Sequence, residues 1–325
     1  MKVMLTGGAG FIGHHVAEHI LKNTDCQITF LDRLDCSGNL NRIVQIRDWE
    51  KHKTRCRFVF HDLRAAISDQ LAGQLGEFDY ILHLAASTHV DRSITDPMEF
   101  VLDNVVGTVN LMEFAKRGCN RFVYFSTDEV FGPAPANYAY EEWDRYKSSN
   151  PYAASKAGGE EMAYSYFNTY GLPVIITHTM NVFGERQHPE KFIPSTIDKV
   201  AKGETVVIHS DATRTIPGSR FYVHARNVAD ALLFILRNGL VGEKYNIVGE
   251  QEVNNLEMAE MIAEIQGKPL KYEMTDFHSS RPGHDLRYAL DGAKLAGMGF
   301  KYPKTFRQSL ETTVNWTLAN KEWRA

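Results

Sequence analysis

Short apolar runs rich in β-branched and aromatic residues alternate with longer amphipathic stretches along the first half of the chain. The amphipathic stretches, such as Gly13–Leu21 and Asn104–Arg117, are long enough for helices. The apolar runs predict six strands, at Val3–Thr6, Gln27–Leu31, Arg57–Phe60, Tyr80–Leu84, Arg121–Phe125 and Val174–His178. Strand, helix and strand in repetition indicate right-handed crossovers, and therefore an α/β protein whose parallel sheet is covered by helices on both faces.

The regular alternation ends near residue 180. Beyond it, basic and polar loops at 185–191, 209–220 and 278–287 separate shorter elements. We therefore predict two parts: a sheet domain over residues 1–180 and a smaller C-terminal lobe over residues 181–325, with some segments crossing between them.

Composition narrows the class of protein. The 325 residues carry 36 Lys and Arg against 40 Asp and Glu, and this net charge of -4 offers no electrostatic footprint for nucleic acid. No apolar stretch approaches the ~18 residues of a membrane span. The cysteines Cys26, Cys36, Cys56 and Cys119 lack the spacing of a zinc site. We expect a cytoplasmic protein with reduced thiols and no bound metal.

A glycine-rich loop, Gly7-Gly8-Ala9-Gly10-Phe11-Ile12-Gly13, follows the first predicted strand and opens the first predicted helix. Gly7 permits a tight turn, Gly10 lets the backbone approach a pyrophosphate, and Gly13 lets the helix lie close to the sheet. The helix N-terminus at Phe11 and Ile12 supplies free N–H groups to phosphates. In this context the loop predicts a doubly wound Rossmann sheet that binds a dinucleotide.

Residues at the ends of the later strands extend this predicted site. Asp32 lies 19 residues after Gly13, where a carboxylate accepts a hydrogen bond from a ribose hydroxyl and repels a 2′-phosphate. This favours NAD over NADP, although the neighbouring Arg33 would soften the repulsion. The residues expected to border the adenine and the rest of the dinucleotide are Asp62, Leu63, Leu84, Ala85 and Ala86.

Tyr152 and Lys156 lie four residues apart, and therefore on one face of a helix that Asn150 and Pro151 would begin. A phenol has a pKa of ~10, so it needs help to lose its proton at neutral pH. A nearby ammonium group and an oxidised nicotinamide ring both stabilise the phenolate, which makes Tyr152 a candidate base. A surface pair is the alternative.

Three polar residues, Thr127, Asp128 and Glu129, follow the fifth predicted strand at the edge where ligands bind in doubly wound sheets. Thr127 is placed to hydrogen-bond an oxygen that is being oxidised. Asp128 and Glu129 offer adjacent carboxyl groups, of which one acts as an acid and the other as a base. A polar loop without chemistry is the alternative.

Together these motifs resemble the extended short-chain dehydrogenase/reductase superfamily, and within it the nucleotide-sugar 4,6-dehydratases of the dTDP-glucose type. The glycine and Tyr/Lys motifs are shared by the whole superfamily, whereas the Thr127–Glu129 triplet is specific to these dehydratases. Further segments that match are Ser87–Ile94, Ser126–Gly132, Gly184–Pro194 and Arg281–Tyr288.

The resemblance implies a reaction that leaves the cofactor unchanged. Tyr152 would take the proton from the sugar hydroxyl at carbon 4 while hydride passes to NAD. Glu129 would then remove the proton at carbon 5, Asp128 would protonate the hydroxyl that leaves carbon 6, and hydride would return to carbon 6. The resemblance also implies a homodimer joined through the helices at Asn104–Arg117 and Ala153–Tyr170.

The resemblance assigns a nucleotide-diphosphate sugar as the substrate. Arg220 and Arg281 would grip the diphosphate, because the planar guanidinium fork matches phosphate geometry. The other residues that would border the sugar or the nucleotide are Ser87, Thr88, Asn181, His188, Lys191, Phe192, Ile193, Asn255 and His284.

Departures from the family pattern keep the identity of the substrate open. Phe131 stands where relatives have Tyr, Phe221 and Asn227 replace acidic residues, and His209–Gly218 lacks the usual glycine-rich turn. Glucose or N-acetylglucosamine linked to UDP, and sugars linked to GDP or CDP, stay open beside dTDP-glucose. The alternative activities are those of an epimerase, a decarboxylase or a 5,6-dehydratase, or of a non-catalytic NAD-binding regulator.

Overall fold

A computed structural model describes residues 1–35, 37–276 and 285–324. In these ranges the strands are β1 (Lys2–Thr6), β2 (Gln27–Asp32), β3 (Cys56–Phe60), β4 (Tyr80–His83), β5 (Arg121–Thr127), β6 (Val174–Thr179), β7 (Val182–Phe183), β8 (Val206–Ser210), β9 (Ser219–Arg220), β10 (Val223–His224), β11 (Lys244–Ile247), β12 (Val253–Asn254) and β13 (Tyr272–Asp276).

The helices of the same ranges are α1 (Phe11–Asn23), α2 (Asn41–Val44), α3 (Trp49–His52), α4 (Asp69–Leu75), α5 (Val90–Thr95), α6 (Pro97–Val101), α7 (Gly107–Ala115), α8 (Pro151–Tyr170), α9 (Phe192–Lys202), α10 (Ala225–Asn238) and α11 (Asn255–Gln266), followed by helices at Ala293–Gly297 and Phe306–Ala319. Single turns of 3₁₀-helix occur at Lys53–Arg55, Asp128–Phe131 and Lys321–Trp323, and a π-helical turn occurs at Leu102–Val106.

The central sheet is parallel and has the strand order β11-β6-β5-β4-β1-β2-β3. The direction of winding reverses at β1, because β2 and β4 pair on its two sides. This is the doubly wound Rossmann order, so the predicted fold class is confirmed. A reversal of this kind opens a crevice at the carboxyl ends of the strands, where ligands bind.

All six predicted strands are present, with bounds within two residues of the prediction. The two predicted helices differ more. Helix α1 already begins at Phe11, and the Asn104–Arg117 stretch starts inside the π-helical turn and becomes α-helical only at Gly107. The sequence pattern missed β11, because this buried strand carries Lys244 and Asn246 and does not read as an apolar run.

Alternation along the strands divides the core into two layers. Val3 and Leu5 of β1 belong to one buried cluster with residues of α1 and α10. Met4, between them, belongs to the other cluster, which includes residues of α4, α7 and α8. Both faces of the sheet are therefore covered, as expected of a parallel sheet.

A second lobe has its own core. Helices α9, α11 and Phe306–Ala319 surround a cluster that includes Phe183, Ile197 and Tyr222, and β8 pairs in parallel with β13 beside it. Between these elements the chain returns to the sheet, where α10 packs against α1 and β11 pairs with β6. The boundary at residue 180 therefore stays a prediction.

A buried polar network holds α8 against the sheet. Glu160 of α8 lies 3.0 Å from Nε2 of His178 on β6 and 3.0 Å from Nζ of Lys244 on β11, and its carboxylate accepts a hydrogen bond from Tyr146. His178 also contacts Oδ1 of Asn246 at 3.0 Å. Because Glu160 is fully buried, its charge depends on these partners.

We predict that Glu160→Ala lowers the free energy of unfolding by about 3–5 kcal/mol, because it leaves the Lys244 ammonium buried without a counter-ion. The matched control is Glu161→Ala, an exposed neighbour on the same helix, which should change stability by less than about 0.5 kcal/mol. Urea unfolding monitored by fluorescence measures both. Equal effects of the two substitutions would contradict the role assigned to the network.

Candidate active site

One cleft of about 340 Å³ opens at the carboxyl edge of the sheet and collects most of the predicted site residues. Those that line it are Gly7, Gly10, Phe11, Ile12, Gly13, Asp32, Asp62, Leu63, Leu84, Ala85, Ala86, Thr88, Thr127, Asp128, Glu129, Tyr152, Lys156, Asn181, His188 and Lys191. The cofactor-binding and catalytic candidates therefore share one cavity.

Other predicted substrate residues lie beside this cleft and not in its wall. Ser87 donates its hydroxyl to Oδ2 of Asp103 at 2.5 Å. Phe192 and Ile193 pack into the core of the second lobe. Asn255 accepts a hydrogen bond from the hydroxyl of Tyr222 at 2.7 Å.

Arg220 is held by backbone groups. Its guanidinium donates to the carbonyl oxygens of Ser219, Asp285 and Leu286 at 2.6–2.7 Å and lies 4.5 Å from the centre of the Tyr288 ring. Burial raises the pKa of both Asp128 and Glu129, and the positive charge of Arg220 opposes this rise. The two remaining predicted substrate residues, Arg281 and His284, lie outside the described residues.

The glycine loop has the geometry that phosphate binding requires. Gly7 has φ +68°, and a Cβ at Gly13 would lie 2.2 Å from the carbonyl oxygen of Gly7. Gly10 is the N-cap of α1 and makes no side-chain cap hydrogen bond, and the first two residues of the helix, Phe11 and Ile12, line the cleft. Uncapped N–H groups at the positive end of a helix fit a diphosphate.

Asp32 is held in place by the loops around it. Its Oδ2 accepts from the backbone N–H of Ala9 at 3.0 Å, and its Oδ1 accepts from that of Leu34 at 2.9 Å. Burial raises the pKa of this carboxyl group, while the two backbone donors oppose the shift. The carboxylate is thus fixed at the end of β2, where a ribose hydroxyl would meet it.

Arg33 turns away from Asp32 and binds other carboxylates. Its guanidinium donates to both oxygens of Asp103, at 2.5 and 2.7 Å, and to Oδ2 of Asp35 at 3.0 Å. The hydrogen bonds that Arg33 donates to Asp103 raise the pKa of its guanidinium. Its positive charge is therefore already neutralised, and it softens the repulsion of a 2′-phosphate less than the sequence suggested.

Helix α8 presents the Tyr/Lys pair to the cleft. Asn150 caps the helix, with its side chain accepting from the N–H of Ala153 at 2.8 Å, and Pro151 follows at the first position, as predicted. Lys156 donates from Nζ to the carbonyl oxygen of Phe125 at 2.7 Å, and burial lowers its pKa to about 7.

The environment of Tyr152 does not favour the phenolate by itself. Burial raises the pKa of its hydroxyl above the ordinary value, and the negative charges of Glu129 and Asp128 raise it further. The contact with Thr127 acts in the opposite direction. Ionisation of Tyr152 therefore needs positive charge from a bound group in addition to Lys156.

The adjacent carboxyl groups occupy different environments. Burial and the charge of Glu129 raise the pKa of Asp128 to about 7, and the hydroxyl of Thr127 donates to its Oδ1 at 2.9 Å. Burial also raises the pKa of Glu129, but Nδ2 of Asn150 donates to it at 3.2 Å and favours its ionised form. The pair can thus present one acid and one base at neutral pH.

Several buried polar atoms around the cleft have no hydrogen-bond partner among the residues that the structure describes. They are Oδ2 of Asp128, Oγ1 of Thr179, Oδ1 of Asn181 and Oε1 of Gln187, and all four residues line the cavity. Buried polar groups are normally paired. A polar ligand in the cleft would satisfy them.

Sequence analysis missed several residues in this wall. Arg42 and Asp103 belong to no motif, and only the fold brings them to the cleft. Gln187 lies in the matching segment Gly184–Pro194 but was not among the predicted site residues. The three single-residue departures from the family pattern, at Phe131, Phe221 and Asn227, are absent from the wall. Phe131 is fully buried and stacks on Tyr140 with 5.3 Å between the ring centres.

Among the described residues, no helix combines the length and apolar character needed to cross a bilayer. The same residues contain no group of three or more His, Cys, Asp or Glu side chains arranged to hold a metal ion.

Comparisons with known proteins agree with this geometry. A family model described as the NAD dependent epimerase/dehydratase family matches residues 3–248. The dTDP-glucose 4,6-dehydratase of Escherichia coli is 35% identical over 348 residues, which covers 99% of this chain and 94% of the relative. The low-salt glycan biosynthesis protein Agl12 of Haloferax volcanii is 38% identical over 324 residues, which covers 99% of this chain and 100% of the relative.

A solved structure extends the likeness to three dimensions. DesIV, a dTDP-glucose 4,6-dehydratase from Streptomyces venezuelae with NAD and a further ligand bound, matches with a TM-score of 0.88 and 34% identity. The match covers 99% of this chain and 98% of DesIV.

We predict that Asp32→Asn weakens NADH binding by about 10-fold or more, because a charge-assisted hydrogen bond to the ribose is lost. NADPH should lose less affinity, because its 2′-phosphate no longer faces a carboxylate. The dissociation constant of NADPH divided by that of NADH should therefore fall. Fluorescence titration measures both constants. The control is Asp25→Asn, an exposed residue two positions before β2 begins. An unchanged ratio would show that Asp32 does not face the ribose.

Proposed function

Because the chain belongs to the NAD dependent epimerase/dehydratase family, we propose that it is an NAD-dependent nucleotide-sugar 4,6-dehydratase. It would be a hydro-lyase that converts the sugar into its 4-keto-6-deoxy form. The observation that carries this proposal is the placement of Asp128 and Glu129 in one cleft with Tyr152. An epimerase has no use for an acid and base pair that removes a hydroxyl group.

The cofactor fits the glycine loop and the end of β2. The uncapped helix N-terminus at Phe11 and Ile12 would hold its diphosphate, and Asp32 its ribose. When bound, NAD supplies a hydride acceptor for carbon 4 of the sugar and later a hydride donor for carbon 6. The oxidised ring also brings the positive charge that Tyr152 needs.

Tyr152 serves as the base for the first step. It takes the proton of the hydroxyl at carbon 4 as hydride leaves that carbon, so a ketone forms. Lys156 stabilises the phenolate electrostatically, and Thr127 hydrogen-bonds the oxygen that becomes the carbonyl. A protonated Asp128 helps as well, because it removes one of the two negative charges that raise the pKa of Tyr152.

Asp128 and Glu129 carry out the elimination. The new ketone makes the proton at carbon 5 more acidic, and Glu129 removes this proton. The electrons of the broken bond between carbon 5 and hydrogen then form a double bond between carbons 5 and 6. The bond between carbon 6 and its oxygen breaks, and Asp128 gives its proton to the leaving hydroxyl, which departs as water. When hydride is returned to carbon 6, Glu129 gives back to carbon 5 the proton that it took. The raised pKa of Asp128, about 7, keeps this group available as an acid at neutral pH.

The sugar and nucleotide would lie between this centre and the second lobe. Thr88, Asn181, His188 and Lys191 line that side of the cleft. The roles of Ser87, Phe192, Ile193, Arg220 and Asn255 in holding the substrate rest on the family resemblance.

The proposal is tested by incubating the protein with NAD and a panel of dTDP-, UDP-, GDP- and CDP-linked sugars and measuring product masses. Loss of one water with a new carbonyl group is the expected result. An unchanged mass would indicate an epimerase, and loss of carbon dioxide a decarboxylase. NAD binding without conversion of any sugar would favour a regulator.

We predict that Tyr152→Phe and Glu129→Gln block different steps. Each should slow turnover by about 10²–10⁴-fold. Glu129→Gln should still form NADH in a single turnover, because oxidation at carbon 4 precedes elimination, whereas Tyr152→Phe should not. Exposed Tyr170→Phe and Glu161→Gln on the same helix are the controls. Water loss at the normal rate in Glu129→Gln would refute its role as base.

We predict that the rate of elimination falls as pH rises above about 7, where Asp128 loses its proton. The sign follows from its role: the acid form is the active one, and it is present below the raised pKa. Rapid quenching after NADH has formed measures the elimination separately from the earlier oxidation, in which Tyr152 and Lys156 act. In Asp128→Asn the residual elimination rate should lose this dependence, and an unchanged alkaline decline would assign it to another group.

The proposal includes a homodimer. Three apolar side chains next to the Asn104–Arg117 segment are exposed, Met98 at 62%, Val101 at 41% and Leu102 at 38%. Exposed apolar residues close together are typical of an interface, and the family resemblance places the dimer contact at this segment and at Ala153–Tyr170. A monomer in sedimentation at micromolar concentration would contradict it.

A cytoplasmic location is the remaining part of the proposal. Cys26, Cys56 and Cys119 are free thiols. Burial raises the pKa of Cys56 and Cys119 to about 11, so both stay in the unreactive thiol form. Free thiols of this kind suit a reducing compartment.

A further inference from the structure

A buried arginine outside every motif lines the cleft. Arg42 of α2 is 5% exposed and forms part of the cavity wall together with the glycine loop. Its guanidinium donates to the carbonyl oxygens of Ala9 at 3.2 Å, Ser37 at 2.6 Å and Arg186 at 3.1 Å. It therefore joins the glycine loop, the segment after β2 and the segment after β7.

Arg42 differs from the other arginines of the cleft in having no counter-ion. Arg33 is bound by Asp103, and Arg64 by Asp62. Within residues 1–35, 37–276 and 285–324, no carboxylate lies within ion-pair distance of Arg42. Burial and the like charge of Arg186 lower its pKa to about 10, while the more distant negative charge of Asp32 opposes this shift, so Arg42 stays charged at neutral pH. A buried charge without a partner is costly.

We propose that Arg42 binds the diphosphate of the dinucleotide and receives its counter-charge from it. The N–H groups at Phe11 and Ile12 and the guanidinium of Arg42 would then act on one anion, since these residues line the same cleft and Arg42 donates to the glycine loop at Ala9. The inference rests on the proposed function, in that the cleft must take a dinucleotide.

The C-terminal segment positions this arginine. The Trp323 ring lies 5.3 Å from the Arg42 guanidinium, and its Nε1 donates to Oε1 of Gln45 at 3.1 Å. Arg186 donates to the backbone oxygen of Gln45 at 2.9 Å and lies 4.9 Å from the Trp316 ring. Trp323 is thus a positioning residue for the cofactor site, although it is far from Arg42 in the sequence.

The test compares ligands with and without the diphosphate. NADH is titrated by fluorescence into the full-length protein, and ADP-ribose and adenosine are then used as competitors. The variants are Arg42→Met, which keeps length without charge, Arg42→Lys, and Arg47→Met as an exposed control nearby. Thermal unfolding without ligand verifies that each variant is folded.

We expect Arg42→Met to weaken ADP-ribose by about 10-fold or more, as for a hydrogen bond to a charged group. Adenosine should change by less than about 2-fold, and Arg42→Lys should retain part of the ADP-ribose affinity. Raising the salt concentration should weaken ADP-ribose less in Arg42→Met than in the wild type. Equal losses for both competitors, or none, would overturn the proposal.

A second set of variants tests the positioning role. Trp323→Leu should reduce ADP-ribose affinity, Trp323→Phe should restore it, and Trp323→Leu should add nothing in the Arg42→Met background, because the ring acts through the guanidinium. Additive effects would refute that role. If the wild type bound neither NADH nor ADP-ribose, the proposed function itself would fail. If the wild type bound both and Arg42→Met bound them equally well, only this inference would be refuted.

Discussion

Parallel strands can be joined only by crossovers, and this constraint puts all their carboxyl ends on one edge of the sheet. Because the winding reverses at β1, the helices on the two sides leave a crevice at that edge. The glycine loop after β1, Asp32 at the end of β2 and the acidic pair after β5 meet there, although they are far apart along the chain. The rest of the structure holds these groups in place at this edge of the sheet or sets their protonation there.

Burial then sets the chemistry of the groups that meet. The same low-dielectric surroundings raise the pKa of Asp128 and Glu129 and lower that of Lys156. Local hydrogen bonds separate the two carboxyl groups, since Asn150 favours an ionised Glu129. Tyr152 is the group least suited to its role in the protein alone, so its reactivity depends on the charge of a bound cofactor.

Support for this site comes from behind the sheet and from the end of the chain. The Glu160 network fixes α8, and thereby the side chains one and two turns earlier on the same face, Lys156 and Tyr152. Trp323, in the C-terminal segment, contacts the Arg42 guanidinium with its ring and would hold it in position in the same way. Residues that touch no ligand thus decide whether the charged groups of the cleft hold their positions.

The sequence by itself determined the sheet, the glycine loop and the Tyr152 helix, because alternation, turn glycines and helix caps act over a few residues and leave a local pattern. The family was identified from the same local motifs. Tertiary structure alone decided that Arg33 is neutralised by Asp103 and that Lys244 enters the sheet beside Glu160. It also decided that Arg42 lies in the cleft and donates to backbone carbonyl oxygens, with no carboxylate of the described residues within ion-pair distance. The physical reason is that the electrostatic energy of a charged side chain depends on the groups that folding brings within a few ångströms of it. In the ion pairs Arg33–Asp103 and Lys244–Glu160 the two partners are 70 or more residues apart in the sequence.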